Sequence, residues 1–388
     1  MKIADRISRI QPSITLEMTA KAAELKQSGV DVINLSVGEP DFDTPENIKE
    51  AAHLAINNGM TKYTAGSGIP DLKKAIIHKL RRDNNLDYDL KNIIVSCGGK
   101  HTLYNACQVL FQKGDEVIVF SPYWVSFPDF VAITGAKPVI VPTIPERQYE
   151  PDFSVLEKSI NRNTKGIIIN SPSNPTGGLW EDDAIDRTLE IAKRKNLWVF
   201  SDECYEQLTY GKKFKSIQEY DLNNERILTF QSCSKTYSMT GWRIGYTAGH
   251  PDIIKAMGKI QSQSTSCPNS IAQHAAIEAL SGDQSEVFKM KKVFEKRRNV
   301  MVDSLNQIDG ISCELPGGAF YAFPCLEGLI KNNKIKNSWD FCFQLLEEKA
   351  VASVPGRSFG AENNIRFSYA ISSERIKLAI QRIKELLG

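Results

Sequence analysis

Lys235 and Asp202 each follow a short apolar run, a setting where a charge is hard to keep. Lys235 closes the tetrapeptide Ser232-Cys233-Ser234-Lys235, after the strand-like stretch 226–230. An amine there solubilises little, and with a lowered pKa it can form a Schiff base with a carbonyl. The same tetrapeptide also suits a surface loop. Asp202 follows Leu197–Ser201, and a carboxylate at the mouth of a site is costly without a cation. A protonated heterocyclic nitrogen would serve, and so would a helix cap or a metal. Arg243, in Gly241-Trp242-Arg243-Ile244-Gly245, offers a fixed guanidinium that suits a phosphate or a structural ion pair. Gly98-Gly99-Lys100 opens a helix, whose first N–H groups attract an anion. The spacing is not that of a P-loop. Gly66-Ser67-Gly68 is no dinucleotide fingerprint either, because Asp71 stands in place of the third glycine. His53, His78, His101, His250 and His274 are dispersed without metal spacing, so no metal site is expected.

These residues need elements to bring them together. From residue 46 the pattern alternates between helices and short apolar strands. Helices are expected at 46–58, 71–84, 126–134 and 181–195, with one more ending near 112. Strands are expected at 92–96, 116–120, 137–141, 165–170, 197–201, 226–230 and 243–248. The alternation argues for an α/β fold, a mainly parallel sheet sandwiched by helices. Such sheets bind ligands beyond the carboxyl ends of their strands. The segments 96–100, 121–124, 170–177, 202–205 and 232–243 would then converge on one edge. A helix at 13–28, with Ser13 as N-cap and Leu16 and Ala20 on one face, precedes a short strand at 32–35. After 252 comes a long helical stretch, an amphipathic helix at 283–308, strands near 318–323 and 364–369, and a helix at 373–387. The expected division is a large domain over 46–290, a smaller α+β domain from 13–45 and 291–388, and an N-terminal arm at 1–12.

Bulk properties are those of an ordinary soluble globular protein. The 388 residues are 41% hydrophobic and 24% charged with a net charge of +2, which gives no argument for a nucleic-acid or membrane partner. Lys291-Lys292 and Lys296-Arg297-Arg298 read as a solvated helix face. The eight cysteines are scattered without a CxxC pair, which fits free thiols in a reducing, cytoplasmic setting. The first residues do not read as a signal peptide, and no run approaches a membrane span.

Together the segments resemble the class I, fold-type I pyridoxal-phosphate-dependent aminotransferases, specifically their bacterial aspartate-aminotransferase-like branch. The resemblance runs along nearly the whole chain: QPSITLEMTAKAAEL, NLSVGEPDFDTP, KYTAGSGIPDLKKAI, SCGGKHTLYN, SPYWVSFP, NSPSNPTG, SDECYEQLTY, SCSKTYSMTGWRIGY, PGGAFYAF and NIRFSYA. It implies that Lys235 holds pyridoxal 5'-phosphate and then shuttles a proton. Asp202 would pair with the pyridine nitrogen, Asn174 and Tyr205 with the ring oxygen, and Trp124 would stack on the ring. Gly99, Lys100, Ser232, Ser234 and Arg243 would surround the phosphate, with backbone amides as the donors at 99 and 100. Tyr63 would reach the phosphate of the second subunit of a homodimer. Arg366 would grip the substrate α-carboxylate, which Gly38 would let the backbone approach, with Trp124 and Asn174 also near the substrate. The implied reaction is ping-pong transfer of an amino group between an L-amino acid, aspartate or aromatic, and a 2-oxo acid such as 2-oxoglutarate.

Two other readings share these residues. A C–S lyase on the same fold would release ammonia and pyruvate. A non-catalytic regulator would need an added DNA-binding domain, for which the resemblance, starting within the first 15 residues, leaves no room. The side chain accepted stays open. A dicarboxylic substrate needs a second cation, and the helix after the Gly-Gly turn offers only Gln108 and Lys113. Thr15 and Glu17 are candidates for the entrance.

Overall fold

Runs of β-branched and aromatic residues, apolar on both sides, fold as buried strands, and the amphipathic stretches between them cover both faces. The structure is a computed structural model that describes residues 3–10 and 14–388, with backbone only at 14–17 and 19. The expected N-cap Ser13 and the Leu16, Thr15 and Glu17 side chains lie outside what is described.

The chain opens with a 3-10 turn at Asp5–Arg9, which lies against α5 (Ser126–Ile133). It continues through α1 (Ile14–Gln27), β1 (Ile33–Asn34), α2 (Glu46–Asn57) and α3 (Pro70–Asn84). Next come β2 (Ile93–Ser96), α4 (Gly99–Leu110), β3 (Glu116–Ser121), α5, β4 (Lys137–Ile144), β5 (Glu150–Pro151) and α6 (Phe153–Ser159). Then follow β6 (Thr164–Asn170), α7 (Asp182–Arg194), β7 (Trp198–Asp202), β8 (Ile227–Ser232), α8 (Cys233–Thr236) and β9 (Gly245–Ala248). Helices α9 (Pro251–Ser264), α10 (Ser270–Ser281) and α11 (Ser285–Leu305) lead to β10 (Tyr321–Ala322), α12 (Glu327–Lys331) and α13 (Ser338–Lys349). The chain ends with β11 (Val351–Ala352), β12 (Val354–Pro355), β13 (Ile365–Ser368) and α14 (Ser373–Leu387).

The main sheet has the order β2-β9-β8-β7-β6-β3-β4-β5. Strands β4, β3, β6, β7 and β8 are mutually parallel, β9 runs antiparallel between β8 and β2, and β5 is an antiparallel edge. Alternate residues feed two cores. Val117, Val119, Ile168 and Phe200 face one way, and Ile118, Ile167, Ile169 and Val199 the other. Burial on both faces is what a central parallel sheet requires. It also puts the carboxyl ends of β2, β3, β6, β7 and β8, and the start of β9, on one edge. Residues from both chain ends share a smaller sheet, where β1 pairs in parallel with β11. A three-stranded sheet, β10-β13-β12, lies beside it in the chain's last third.

Several expectations change. The helical stretch after 252 is two helices, α9 and α10. The strand expected over 318–323 shrinks to Tyr321–Ala322, because Ala319 is left-handed (φ 57) and Gly318 packs tightly against Pro172. Arg243 precedes β9 instead of belonging to it. The basic run on α11 is not uniformly solvated: Arg297 and Arg298 are buried. Arg297 makes two bonds to Asp41 (2.6 and 2.9 Å) and Arg298 donates to Pro316 O (2.9 Å), so packing against the first loop overrides the solvated face. No helix among the described residues is long and apolar enough to cross a membrane.

Candidate active site

The strand ends gather the expected residues. At one side, Gly98 caps α4 with φ 93. A Cβ at Gly98 would collide with Arg243 Nη2, and one at Gly245 with Gly99 N. These glycines therefore let a guanidinium and a helix start approach each other. The amides of Gly99 and Lys100 open α4 with no carbonyl behind them. Arg243, itself left-handed (φ 57), donates to Thr240 O (2.8 Å) and Cys97 O (3.4 Å). It has no ion pair with an acid among the described residues. Ser232 Oγ caps α8 by accepting from Ser234 N (3.0 Å) and lies near Gly99. Open amides, hydroxyls and an unpaired guanidinium form a cradle for a phosphate.

At the centre, Lys235 Nζ donates to Gly38 O and lies 6.0 Å from the Phe320 ring centre. Burial pulls its pKa below the ordinary lysine value; the Arg366 and Arg243 guanidiniums act the same way, and Cys204 and Glu39 oppose them. Asp202 ends β7 at 6% exposure. Burial pushes its carboxyl up to about 6, against the Cys204 amide (3.2 Å) and the charge of Lys235. No cation stands at ion-pair distance from it among the described residues.

On the far side, Arg366 on β13 is 3% exposed. It donates to Asn174 Oδ1 (2.9 Å) and Ser36 O (2.6 Å), while its Nε has no hydrogen-bond partner among the described residues. The Tyr321 and Phe359 rings lie 4.6 and 5.1 Å from its Cζ. Tyr205 and Tyr321 share a hydroxyl contact of 2.9 Å. Asn170 links the parts: its Oδ1 accepts from Asn174 N (2.8 Å) and its Nδ2 donates to Asp202 O (3.1 Å). A Cβ at Gly38 would sit 3.0 Å from Tyr321 OH. Trp124 lies half-buried beside Phe127 and Phe130.

Tyr63 stands apart, 90% exposed on the loop between α2 and α3. Lys113 lies beyond the far end of α4, packed at Gly135, too distant to be a second cation for this site. The sequence reading quoted Asn170 within NSPSNPTG and Tyr321 within PGGAFYAF without giving either a role. It also credited Lys100 with its amide alone. The Lys100 ammonium lies 5.0 Å from the Trp124 ring centre, with its pKa lowered by burial and by Arg243 against the pull of Asp129.

A buried polar network backs the strand ends. Lys79 of α3 donates to Glu206, to Asn84 Oδ1 (2.8 Å) and to Gln231 Oε1 (2.8 Å). Tyr246 OH also reaches Gln231 (2.8 Å), whose Nε2 donates to Glu206 (2.9 Å) and Glu203 (3.2 Å). Burial first, and then Glu206, push Glu203 up to about 7, against bonds from Ser201 and Ser216.

The comparisons agree with this geometry. The family profile described as "Aminotransferase class I and II" matches residues 30–383. A "Probable aspartate/prephenate aminotransferase" of Rhizobium leguminosarum bv. phaseoli is 47% identical, covering 100% of this chain and 98% of that protein. The aspartate aminotransferase of Bacillus subtilis is 45% identical, covering 100% and 99%. Among solved structures, aspartate aminotransferase from Thermus thermophilus with maleate superposes with a TM-score of 0.94 at 38% identity, covering 100% of both chains.

Proposed function

Because the chain belongs to the class I and II aminotransferases, we propose that it moves the amino group of aspartate to a 2-oxo acid such as 2-oxoglutarate. It is a pyridoxal-phosphate-dependent transaminase. The observation that carries the amino-acid reading is Arg366. A buried guanidinium without an acid partner is costly, and an α-carboxylate would supply both the charge and the acceptor for Nε. Lys100, beside Trp124, is the candidate for the second cation that a side-chain carboxylate needs. The relatives named for aspartate support the same side chain.

The residues fit the cofactor. Asp202, a buried carboxylate with no cation at ion-pair distance among the described residues, suits a protonated ring nitrogen, and the Gly98–Arg243 cradle suits a phosphate. In this reading Lys235 holds the cofactor covalently, Tyr205 and Asn174 the ring oxygen, and Trp124 the ring face. Gly99, Lys100, Ser232, Ser234 and Arg243 hold the phosphate, with Tyr63 from a second copy of the chain. When bound, pyridoxal phosphate supplies an electron-withdrawing ring that stabilises the electron pair left at the substrate Cα. Lys235 Nζ, its pKa lowered, takes the Cα proton and returns it on the other side of the transfer. Arg366, Gly38 and Asn174 fix the α-carboxylate so that the Cα proton faces Nζ. The amino group leaves the first substrate before the second binds, which gives ping-pong kinetics.

The reading extends to the assembly and the compartment. The chain acts as a homodimer, which the exposed Leu54, Ile56 and Met60 near Tyr63 support. It divides into a cofactor-holding part, 46–290, and a smaller part from 13–45 and 291–388. Eight free cysteines support a cytoplasmic setting. Steady-state kinetics over a panel of amino acids, with 2-oxoglutarate and prephenate as acceptors, tests the substrate. Aspartate should give the highest kcat/KM. Equal or better rates with phenylalanine would move the assignment to an aromatic side chain.

A further inference from the structure

On the sheet edge opposite Lys235, where β6 and β7 begin, lies a groove of ≈ 640 Å³. Arg162, Lys165, Arg194, Lys195 and Arg226 line it. None of the five stands in an ion pair with Asp or Glu among the described residues, whereas the nearby Arg187 and Lys193 pair with Glu157 and Asp221. The one carboxylate in the lining, Asp115, already accepts from Gln112 N (2.9 Å). Arg194 and Lys195 end α7, where a cation also suits the helix dipole. No helix end accounts for Lys165, inside β6, or for Arg226, which precedes β8 and lies 5.0 Å from the Trp198 ring centre.

Five like charges in a concave site repel one another and focus their field on whatever enters. Guanidinium and ammonium donors together match phosphate oxygens. We propose that this groove binds a ligand carrying a chain of phosphates, a triphosphate in size and charge. A triphosphate carries about four negative charges near neutral pH, close to the five cations and well above what one carboxylate or monophosphate offers. The site is independent of the transamination site, on the other edge of the sheet.

The test uses holoenzyme saturated with pyridoxal phosphate, so that the residues around Lys235 are occupied. Calorimetric titration with sodium triphosphate should show one site per chain, weakening steeply between about 50 and about 200 mM salt. Arg194→Glu/Arg226→Glu should weaken triphosphate at least about tenfold while leaving the transamination rate unchanged. Arg162→Gln/Lys165→Gln is the second variant, with the same expectation should the first fail to fold. ATP binding more tightly than inorganic triphosphate would identify a nucleotide, with Trp198 taking the base; equal affinity would identify the phosphate chain itself. Absence of saturable triphosphate binding, unchanged affinity in a folded variant, or AMP binding as tightly as triphosphate would overturn the proposal.

Discussion

Asp202 and Arg366 are buried charges that lack counter-ions among the described residues, and each makes a prediction at the scale of a single residue. Folding raises the Asp202 pKa from 3.8 to about 6, so the folded chain holds this proton more tightly than the unfolded one. The resulting penalty is absent below pH 3.8 and complete above about pH 6, on the order of 3 kcal/mol at 1.36 kcal/mol per unit. Cofactor-free Asp202→Asn should therefore have a higher Tm than the parent above pH 6 and converge with it below pH 3.8; a lower Tm at pH 7 would contradict the burial argument. Arg366→Gln should lower kcat/KM for aspartate by about tenfold to 150-fold, the worth of a charge-assisted contact at roughly 1.5–3 kcal/mol. Gly98→Ala forces a left-handed alanine against Arg243 and should weaken cofactor binding, read as a raised Kd by equilibrium dialysis, since such strain is worth about 1–3 kcal/mol. Lys235 and Asp202 stood out as candidates because each follows an apolar run, and the family resemblance supplied the roles expected of them. The place of the Lys100 side chain beside Trp124 was not legible. A Gly-Gly-Lys turn tells which amides open a helix, while the direction of a long flexible stem depends on what packs beside it, here Trp124.

At the scale of elements, the Lys79 network joins α3 to the ends of β7 and β8 and to β9, the strands flanking Asp202, Lys235 and Arg243. Lys79→Met leaves Glu206 buried without its cation and should destabilise the protein by about 3–5 kcal/mol in urea unfolding. Lys79→Met/Glu206→Gln should recover most of that loss. If the double variant were no more stable than the single one, the pair would not be what holds these strands. Sequence reasoning missed the network because its partners lie far apart in the chain, with Lys79 and Glu206 separated by 127 positions. Local signals served better. The apolar run Ile167-Ile168-Ile169 lies in the strand expected over 165–170, and the helix expected over 373–387 matches α14, where the structure adds Ser372 as the cap that accepts from Arg375 N. The two-residue strands β11 and β12 carry no periodicity of their own, since a partner strand defines them.

For the whole molecule, the order of motifs along the chain conveyed the fold, and the alternation of strands and helices conveyed the edge on which the site lies. Assembly is less legible, because the exposed Tyr63, Leu54, Ile56 and Met60 carry no local signal that names a partner. Light scattering should give a dimer, and Tyr63→Phe should raise the cofactor Kd without changing that mass. The central proposal is that Lys235 and Arg366 make this chain act on α-amino acids and that the Lys100 side chain directs it to aspartate. Its most direct test is a single half-reaction: holoenzyme mixed with excess aspartate and no 2-oxo acid. The expected result is one equivalent of oxaloacetate per chain, no ammonia, and no product from Lys235→Ala. Continuous release of ammonia, or an unchanged yield from Lys235→Ala, would contradict the account.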